Sequence, residues 1–424
     1  MKSVEAHYND VVGMGRPLPA TTVNVTNAQN LVLAEDTFSR ISIPPFTAAT
    51  LGGYAVRAVD IVPGKALPIK KDMSTENSQD IPNLSPNTAI RVLKGSPLPF
   101  GADTIIPVRK SRMLAEGNGQ YPDTFTPTTE TERGANIRYK GEDVEAGSLA
   151  FSAGTILNAA HISSLIALGN TTVNVHRRPI VGVLAPDNSA HDPEDAFAST
   201  SPSPNVALAV QLIAHRGGVP RVCQVNGTSM EEIGHQIREI AATTDYLIMA
   251  GGISGTVSRM MKKTLMGTSG IHFDEVALQP GKSQGWGVLA ITPTASSHPY
   301  GFTTLEAHLV PILCLPNNPI SSFVSMHLFA LPLLEALMGY PTHSFSRLFT
   351  KEVLGTSWRH KVGREQFMPV LRGRDGRIVP AHRPRAQNSH LLSTIPMAMG
   401  LARVGSDVAR VHEGEEVDVF WFPC

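Results

Sequence analysis

The sequence predicts a multidomain protein of α/β plus β class, on three changes of texture along its 424 residues. From Ile180 to about Tyr340, apolar strand-like runs alternate with helix-like runs: IVGVLAP, NVALAVQLIAHRGG, YLIMAGG, VSRMMKKTLMG and LVPILCLP. That is the pattern of parallel βαβ units whose helices cover the sheet. From Val56 to about Arg138 the chain is rich in Pro, Thr and Gly with short β-branched runs such as TIIPV at 104–108, the texture of a small β-rich insert. From about Thr342 short strands and turns return, with a DG turn in LRGRDGRIVP, so a C-terminal β domain is expected.

Composition bounds the function classes. With 42% hydrophobic and 17% charged residues the chain is long enough for several sizeable cores. Lys+Arg 36 against Asp+Glu 36 leaves no basic footprint, so neither nucleic acid nor anionic lipid is implied as a partner. Cys223, Cys314 and Cys424 are too scattered for a disulfide framework or a zinc site; free thiols in a reducing, cytoplasmic setting are expected. The histidines lack HExxH-like spacing, so surface or core roles are expected for them and no metal site is assigned.

Taken in order, MKSVEAHYND places Glu5 and Asp10 where an export signal would need an apolar core. AAHISSLIALG at 159–169 reads as a helix closed by a glycine cap, and Arg177, Arg178 and Pro179 after it as a hinge. The Ser/Pro-rich segment 187–205 reads as a mobile loop. The most apolar stretch, 321–339, is interrupted by His327, Pro332 and Glu335, which argues for a buried, kinked helix and against direct membrane insertion. Met260, Met261, Phe323 and Leu328 fall where helix faces pack. Phe420, Trp421 and Phe422 fit either a groove lining or alternating strand packing.

One stretch has the outline of a site. AGGISGTVSRMMKK at 250–263 is a glycine turn between a strand and a helix carrying Lys262 and Lys263, and phosphates settle where free N–H groups and a helix N-terminus point at them. The stretch contains no carboxylate.

Several segments together resemble the MoeA and gephyrin E-domain family, the molybdopterin molybdenumtransferases. IPPFTAATLGGYAVRA at 43–58 is similar to the family's PPFDNSAMDGYA, SPLPFGADTIIPV at 96–108 to GxPLPxGADxVV, and NIRYKGEDVEAG at 136–147 to NxRxxGEDVxxG. RRPIVGVLAPDNSA matches RRPxVxVLSTGDEL in position, AGGISGTVSRMMKKTL matches SGGVSVGDYDFVKEVL, LQPGKSQGWG matches MxPGKPxxFG, and LPNNPISS matches LPGNPVSA. GREQF at 363–367 is similar to a recurrent C-terminal stretch.

The resemblance implies an elongated protomer assembled as a homodimer. Its parts would be a discontinuous linker domain (1–55 and 139–178), a β-rich insert (56–138), a parallel, MogA-like α/β domain (179–340) and a β-barrel-like C-terminal domain (341–424). In such enzymes adenylylated molybdopterin (molybdopterin-AMP) is hydrolysed and molybdate inserted with Mg2+ assisting, in a cleft between the α/β domain of one subunit and the insert of the other. Carboxylates would hold the cation, and lysines or N–H groups the oxyanion charge.

The departures from the family's pattern fall on those carboxylates. Thr47 and Gly52 stand where the first signature has acids, and Asn188 and Ser189 replace the acidic pair of TGDEL. Val257 and Arg259 occupy acidic places in the glycine-turn segment, and Arg109 stands where a glutamate is usual. Asp143 and the displaced Asp187 are the carboxylates left as catalytic candidates, with a turn or cap role as Asp143's alternative.

The anion side matches better. Gly251, Gly252, Ser254, Lys262, Lys282, Asn318 and Ser321 retain family positions for molybdate or pterin phosphate, as does Arg138. Fold geometry alone explains a glycine turn equally well, and Lys282 has a solvated-loop alternative. Asn317 replaces the glycine of LPGNP and is expected to tolerate a left-handed backbone.

Two functions therefore stand side by side. One is a catalytically degenerate dimer, a scaffold or adaptor that takes a peptide of a membrane receptor or cytoskeletal or cell-division protein at the seam between the α/β and C-terminal β domains. The other is the molybdenumtransferase itself, with storage or delivery of molybdate or a pterin as a lesser variant.

Overall fold

The first helix, α1 (Val4–Val12), starts where Ser3 Oγ accepts the Ala6 N–H at 3.1 Å. Its buried stripe, Val4, His7, Tyr8, Val11 and Val12, has the spacing of a helix with one face on a core. The computed structural model describes residues 1–73, 81–113, 123–186, 203–250, 256–291, 308–381 and 392–422. The chain forms two compact units, one of Thr22–Gln29 with Glu35–Val173 and the other of Met1–Thr21, Asn30–Ala34 and Asn174–Cys424.

The first of these holds a six-stranded sheet of β1 (Gly53–Val56), β2 (Leu67–Asp72), β3 (Ala89–Val92), β4 (Thr104–Pro107), β5 (Ser111–Met113) and β6 (Thr124–Pro127), in the order β4-β1-β3-β2-β6-β5. Alternation decides its two faces: Ala55, Ile90 and Ile105 pack in one cluster, Tyr54, Val56 and Ile106 in another. Tyr54 stacks on Phe125 with ring centroids 4.4 Å apart. The same unit contains α2 (Ala159–Ala167), opened by a capping box between Asn158 and His161. It closes as the glycine predicts: Gly169 has φ +81°, its N–H donates to Ile166 O, and that of Asn170 donates to Leu165 O.

The larger unit is built on β7 (Ile180–Pro186), α3 (Pro204–His215), β8 (Val219–Val225), α4 (Met230–Ala241), β9 (Tyr246–Met249), α5 (Thr256–Met266), β10 (Ile271–Glu275), β11 (Leu278–Gln279), β12 (Ser283–Ile291) and β13 (His308–Cys314). The main sheet runs β8-β7-β9-β13-β12-β10. Its first four strands are parallel, as the βαβ alternation predicts, and buried apolar residues on both faces explain the apolar runs of β7, β9 and β13, whereas the edge strand β8 is largely exposed and was not among the expected strands. β12 and β10 extend it antiparallel, beyond the sequence expectation. Only seven residues separate them, too few for a parallel crossover.

The apolar stretch is helical over α6 (Pro319–Ser325), a π-helical turn at Met326–Ala330 and α7 (Leu331–Leu337). Pro332 has no N–H to return, and the register change just ahead of it absorbs that loss. The span Pro319–Leu337 is long and apolar enough to cross a membrane, yet 89% of it is buried inside the protein. Phe323, Leu328 and Met261 are core residues and Met260 packs at the margin.

The C-terminal strands β14 (Thr350–Val353), β15 (Glu365–Arg372), β16 (Ile378–Pro380), β17 (Gly400–Val404) and β18 (Glu416–Trp421) form a sheet ordered β11-β15-β17-β18-β14, with β16 beside β15. The DG turn links β15 to β16, with Gly376 at φ +82°.

The segment expected as a hinge is anchored. Arg177 is 7% exposed and donates from both terminal nitrogens to Asp245, whose carboxylate also accepts the Ile180 N–H. A buried bidentate pair fixes the chain ahead of β7.

Candidate functional site

The main sheet reverses direction between β7 and β9: the chain moves outward from β7 to β8, then returns to β9 on the other side of β7. Ligands of open α/β sheets bind outside the carboxyl ends of the strands at such a point. Residues 187–202 and 251–255 follow those two strands and lie outside the described residues, as therefore do Asp187, Asn188, Ser189, Gly251, Gly252 and Ser254.

The third contributor is the turn after β13. Asn318 caps α6, its Oδ1 accepting from Ile320 N–H at 3.0 Å and Ser321 N–H at 3.2 Å. Ser321 is buried beside it. The turn is tied to α3 by Asn205, whose Nδ2 donates to Asn317 O at 2.8 Å. Asn317 does not take the left-handed backbone expected of it: positive φ among the described non-glycine residues occurs at Asn30, Asn87 and Asn136. The cap at Asn318 and the Asn205 bond hold the turn in a conformation open to any residue, so no glycine is needed.

On α5 the family's acidic places diverge. Val257 is fully buried, packed in the cluster with Leu184, Met249 and Ile312, whereas Arg259 is exposed. Ser258 is also fully buried and its Oγ has no partner. Lys262 lies with its Nζ 5.4 Å from the centre of the Phe273 ring. Burial pushes the Cys314 thiol up to about 12, against the opposing charge of Lys262, so this free thiol is inert.

Lys282 is engaged. Its Nζ sits 2.6 Å from a Glu275 carboxylate oxygen, and that hydrogen bond holds the Glu275 carboxyl below its ordinary range. In the other unit, Asp143 is exposed and its backbone N–H donates to Ile43 O. Thr47 Oγ1 accepts the Lys140 N–H at 3.2 Å. Arg109 and Arg138 are exposed. The structure thus brings Asn318 and Ser321 together, places Lys282 with Glu275, and leaves Asp143, Thr47 and Gly52 in a separate unit.

A divalent cation needs oxygen ligands, most of them charged. Val257 offers hydrocarbon, Gly52 no side chain, Arg259 a like charge and Thr47 a hydroxyl already bonded to the backbone. Among the described residues no three His, Cys, Asp or Glu side chains converge. The described positions do not fit Mg2+.

A different site lies at the seam of α1, the long helix and β18, a cavity of about 290 Å³ walled by Tyr8, Arg216, His327, Glu335, Tyr340 and Phe420. Arg216 Nη1 donates to Glu335 Oε1 at 2.8 Å. Burial raises the Glu335 carboxyl nonetheless. Burial also lifts the Tyr8 hydroxyl to about 12, and that hydroxyl donates to His343 O at 2.9 Å. His327 stacks on Phe422 with centroids 3.8 Å apart, and burial followed by the Arg216 charge pushes it down to about 3, so it is neutral. Phe420 is the one candidate the sequence offered; Arg216 and Glu335 are 119 residues apart and no local pattern joins them.

Three family models match this chain: "MoeA N-terminal region (domain I and II)" over residues 2–169, "Probable molybdopterin binding domain" over 197–336, and "MoeA C-terminal region (domain IV)" over 351–422. Molybdopterin molybdenumtransferase 2 of Mycobacterium tuberculosis is 29% identical over 433 residues, 99% of each chain. Gephyrin of Dictyostelium discoideum is 24% identical over 75% of this chain and 47% of its own length. The molybdopterin biosynthesis MoeA protein of Pyrococcus horikoshii superposes over 100% of both chains with a TM-score of 0.70 at 20% identity, which shows the fold alone. With its N-terminal, central and C-terminal regions each matched in order, the chain belongs to the MoeA/gephyrin family of molybdopterin molybdenumtransferase-like proteins.

Proposed function

We propose that this chain is a catalytically degenerate member of its family, a cytoplasmic homodimer that serves as a scaffold or adaptor. The observation that carries the proposal is the burial of Val257: where the resemblance places a cation-binding acid, an apolar side chain is locked into the core under the sheet. A carboxylate restored there would be desolvated among Leu184, Met249 and Ile312. Lys282, already paired with Glu275, is less available to an oxyanion than a free lysine would be.

The occupant of the scaffold is a short peptide of a membrane receptor or of a cytoskeletal or cell-division protein, held in the seam cavity by apolar contact with Phe420 and Leu331 and by polar contact with the Arg216–Glu335 pair. Two such cavities in a dimer would give avidity on a clustered partner. The four-part division at 1–55 with 139–178, 56–138, 179–340 and 341–424 belongs to this proposal, as does weak oxyanion binding by Gly251, Gly252, Ser254, Lys262, Lys282, Asn318 and Ser321.

The second reading is molybdate insertion, favoured by the name of the mycobacterial relative that matches end to end. A single-turnover assay separates the two: purified protein, adenylylated molybdopterin, magnesium and molybdate, beside an active family enzyme. The scaffold reading expects no AMP release from folded, dimeric protein. Release at a rate comparable to the active enzyme overturns it and directs attention to Asp143 and Asp187.

A further inference from the structure

The turn between β8 and α4 contains an asparagine followed by a glycine, Asn226–Gly227. Asparagine is a thermolabile residue, and a glycine after it leaves the next amide nitrogen without a shielding side chain. Asn226 is exposed to water. Neither the Gly227 N–H nor the Asn226 Nδ2 donates to another described residue, so both the nitrogen that would attack and the one that would leave are unrestrained.

The fold keeps the glycine in place. Gly227 has φ +151°, and a Cβ there would lie 3.1 Å from Cγ1 of Ile233, a fully buried side chain. Gln236 on α4 restrains its neighbour: its Oε1 accepts the Asn226 N–H at 3.2 Å, and its Nε2 donates to Asn226 O at 2.7 Å and to Asn226 Oδ1 at 3.3 Å. That Nε2 holds both partners of a ring closure, the side-chain amide through Oδ1 and the Gly227 nitrogen through the carbonyl with which it shares one peptide plane. No bond forms between them unless one of those contacts gives way.

We infer that Asn226 is a site of spontaneous succinimide formation, gated by Gln236. The Gly227 nitrogen loses its proton to base and attacks Asn226 Cγ. The Cγ–Nδ2 bond breaks, and the amide leaves as ammonia after taking a proton from water. Water then opens the ring at either carbonyl, giving aspartate or isoaspartate at 226, with no change of oxidation state. Isoaspartate routes the main chain through Cγ and lengthens the connection at the carboxyl end of β8, the end of the sheet where ligands bind. The inference is independent of the scaffold and transferase readings.

The test is incubation of the full chain at pH 8 followed by peptide mass mapping, which separates residue 226 from Asn118–Gly119, a like dipeptide outside the described residues. Aspartate and isoaspartate are expected to accumulate at 226 in folded protein, faster as pH is raised. Gln236→Glu keeps the acceptor and removes both donor contacts, and it is expected to speed the conversion by roughly tenfold at an unchanged thermal midpoint. Gln236→Ala should act in the same direction, and Asn226→Ser should abolish the product. An unaltered residue 226 in folded wild type, under conditions that convert the urea-unfolded chain, with the folded Gln236 variants equally inert, overturns the inference. So does a conversion rate that neither Gln236 variant changes.

Discussion

Lys282 Nζ lies 2.6 Å from Glu275, the last residue of β10, an ion pair that ties the lysine of the PGK segment to the end of that strand. Both side chains are substantially exposed, so the pair contributes little to stability. Glu275→Gln should therefore leave the thermal midpoint essentially unmoved while freeing the ammonium. Molybdate affinity is expected to rise by about threefold to tenfold on removing one opposing charge. Calorimetric titration of wild type and variant reads this directly, and an unchanged affinity would remove Lys282 from the anion site.

Gly52 and Gly53 carry opposite constraints. A Cβ at Gly52 meets nothing closer than 3.8 Å, whereas one at Gly53 falls 2.1 Å from Ile106 O on the paired strand. Gly52→Asp, which returns the family's acid, is expected to change stability by less than about 1 kcal/mol, and Gly53→Ala to cost more than about 3 kcal/mol. Urea denaturation of both variants decides it.

Val257→Asp is the harder restoration. The side chain at 257 has no solvent exposure and only apolar neighbours in its cluster, so a carboxylate there should destabilise by roughly 3–5 kcal/mol at pH 7 and less in acid, where it is neutral. If V257D proves as stable as wild type, the buried-valine argument for lost cation binding fails.

His7 sets an acid limit on stability. Both ring nitrogens are buried without partners, and burial followed by the Lys2 charge lowers its pKa to about 4, with Asp274 and Asp10 opposing. A histidine depressed in the folded state stays neutral while the unfolded chain takes up a proton below about 6.5. Its stability contribution is thus complete above that pH and lost as pH falls towards 4, on the order of 3 kcal/mol. His327, lowered to about 3, acts in the same direction. His7→Leu should flatten the fall in stability between pH 6.5 and 4, leaving the part due to His327.

What the sequence could convey follows from what is local. The parallel strands β7, β9 and β13 are legible because burial on both faces writes them as apolar runs such as YLIM, and α2 because Gly169 marks its end; the exposed edge strand β8 carries no such run. The antiparallel extension was missed: SQGWGVLAI alternates weakly, and Gly287 is there because β10 passes so close that a Cβ would sit 2.1 Å from Gly270 O. Long-range facts were equally silent. Nothing near Lys282 announces Glu275, nothing in RRP announces that Arg177 will be buried on Asp245, and GGYA does not say which glycine is obligatory. The candidate site was legible only as family positions, because β7 and β9, the strands that lead to it, are neighbours in the sheet but far apart in the chain.

The Arg216–Glu335 pair on the seam-cavity wall offers a last test, because its two members differ in what their loss leaves behind. Glu335 is the group whose carboxyl burial raises, and the charge of Arg216 is the largest influence opposing the rise. Arg216→Ala therefore leaves a desolvated carboxylate, expected to cost roughly 1–3 kcal/mol at pH 8. An acid raised in the folded state adds stability while it is protonated and loses it as pH climbs through the folded value. The R216A deficit should accordingly shrink at pH 5, whereas the double variant R216A/E335Q should show little pH dependence at this site. Denaturation curves at the two pH values distinguish this from simple loss of packing, which would give R216A the same deficit at both.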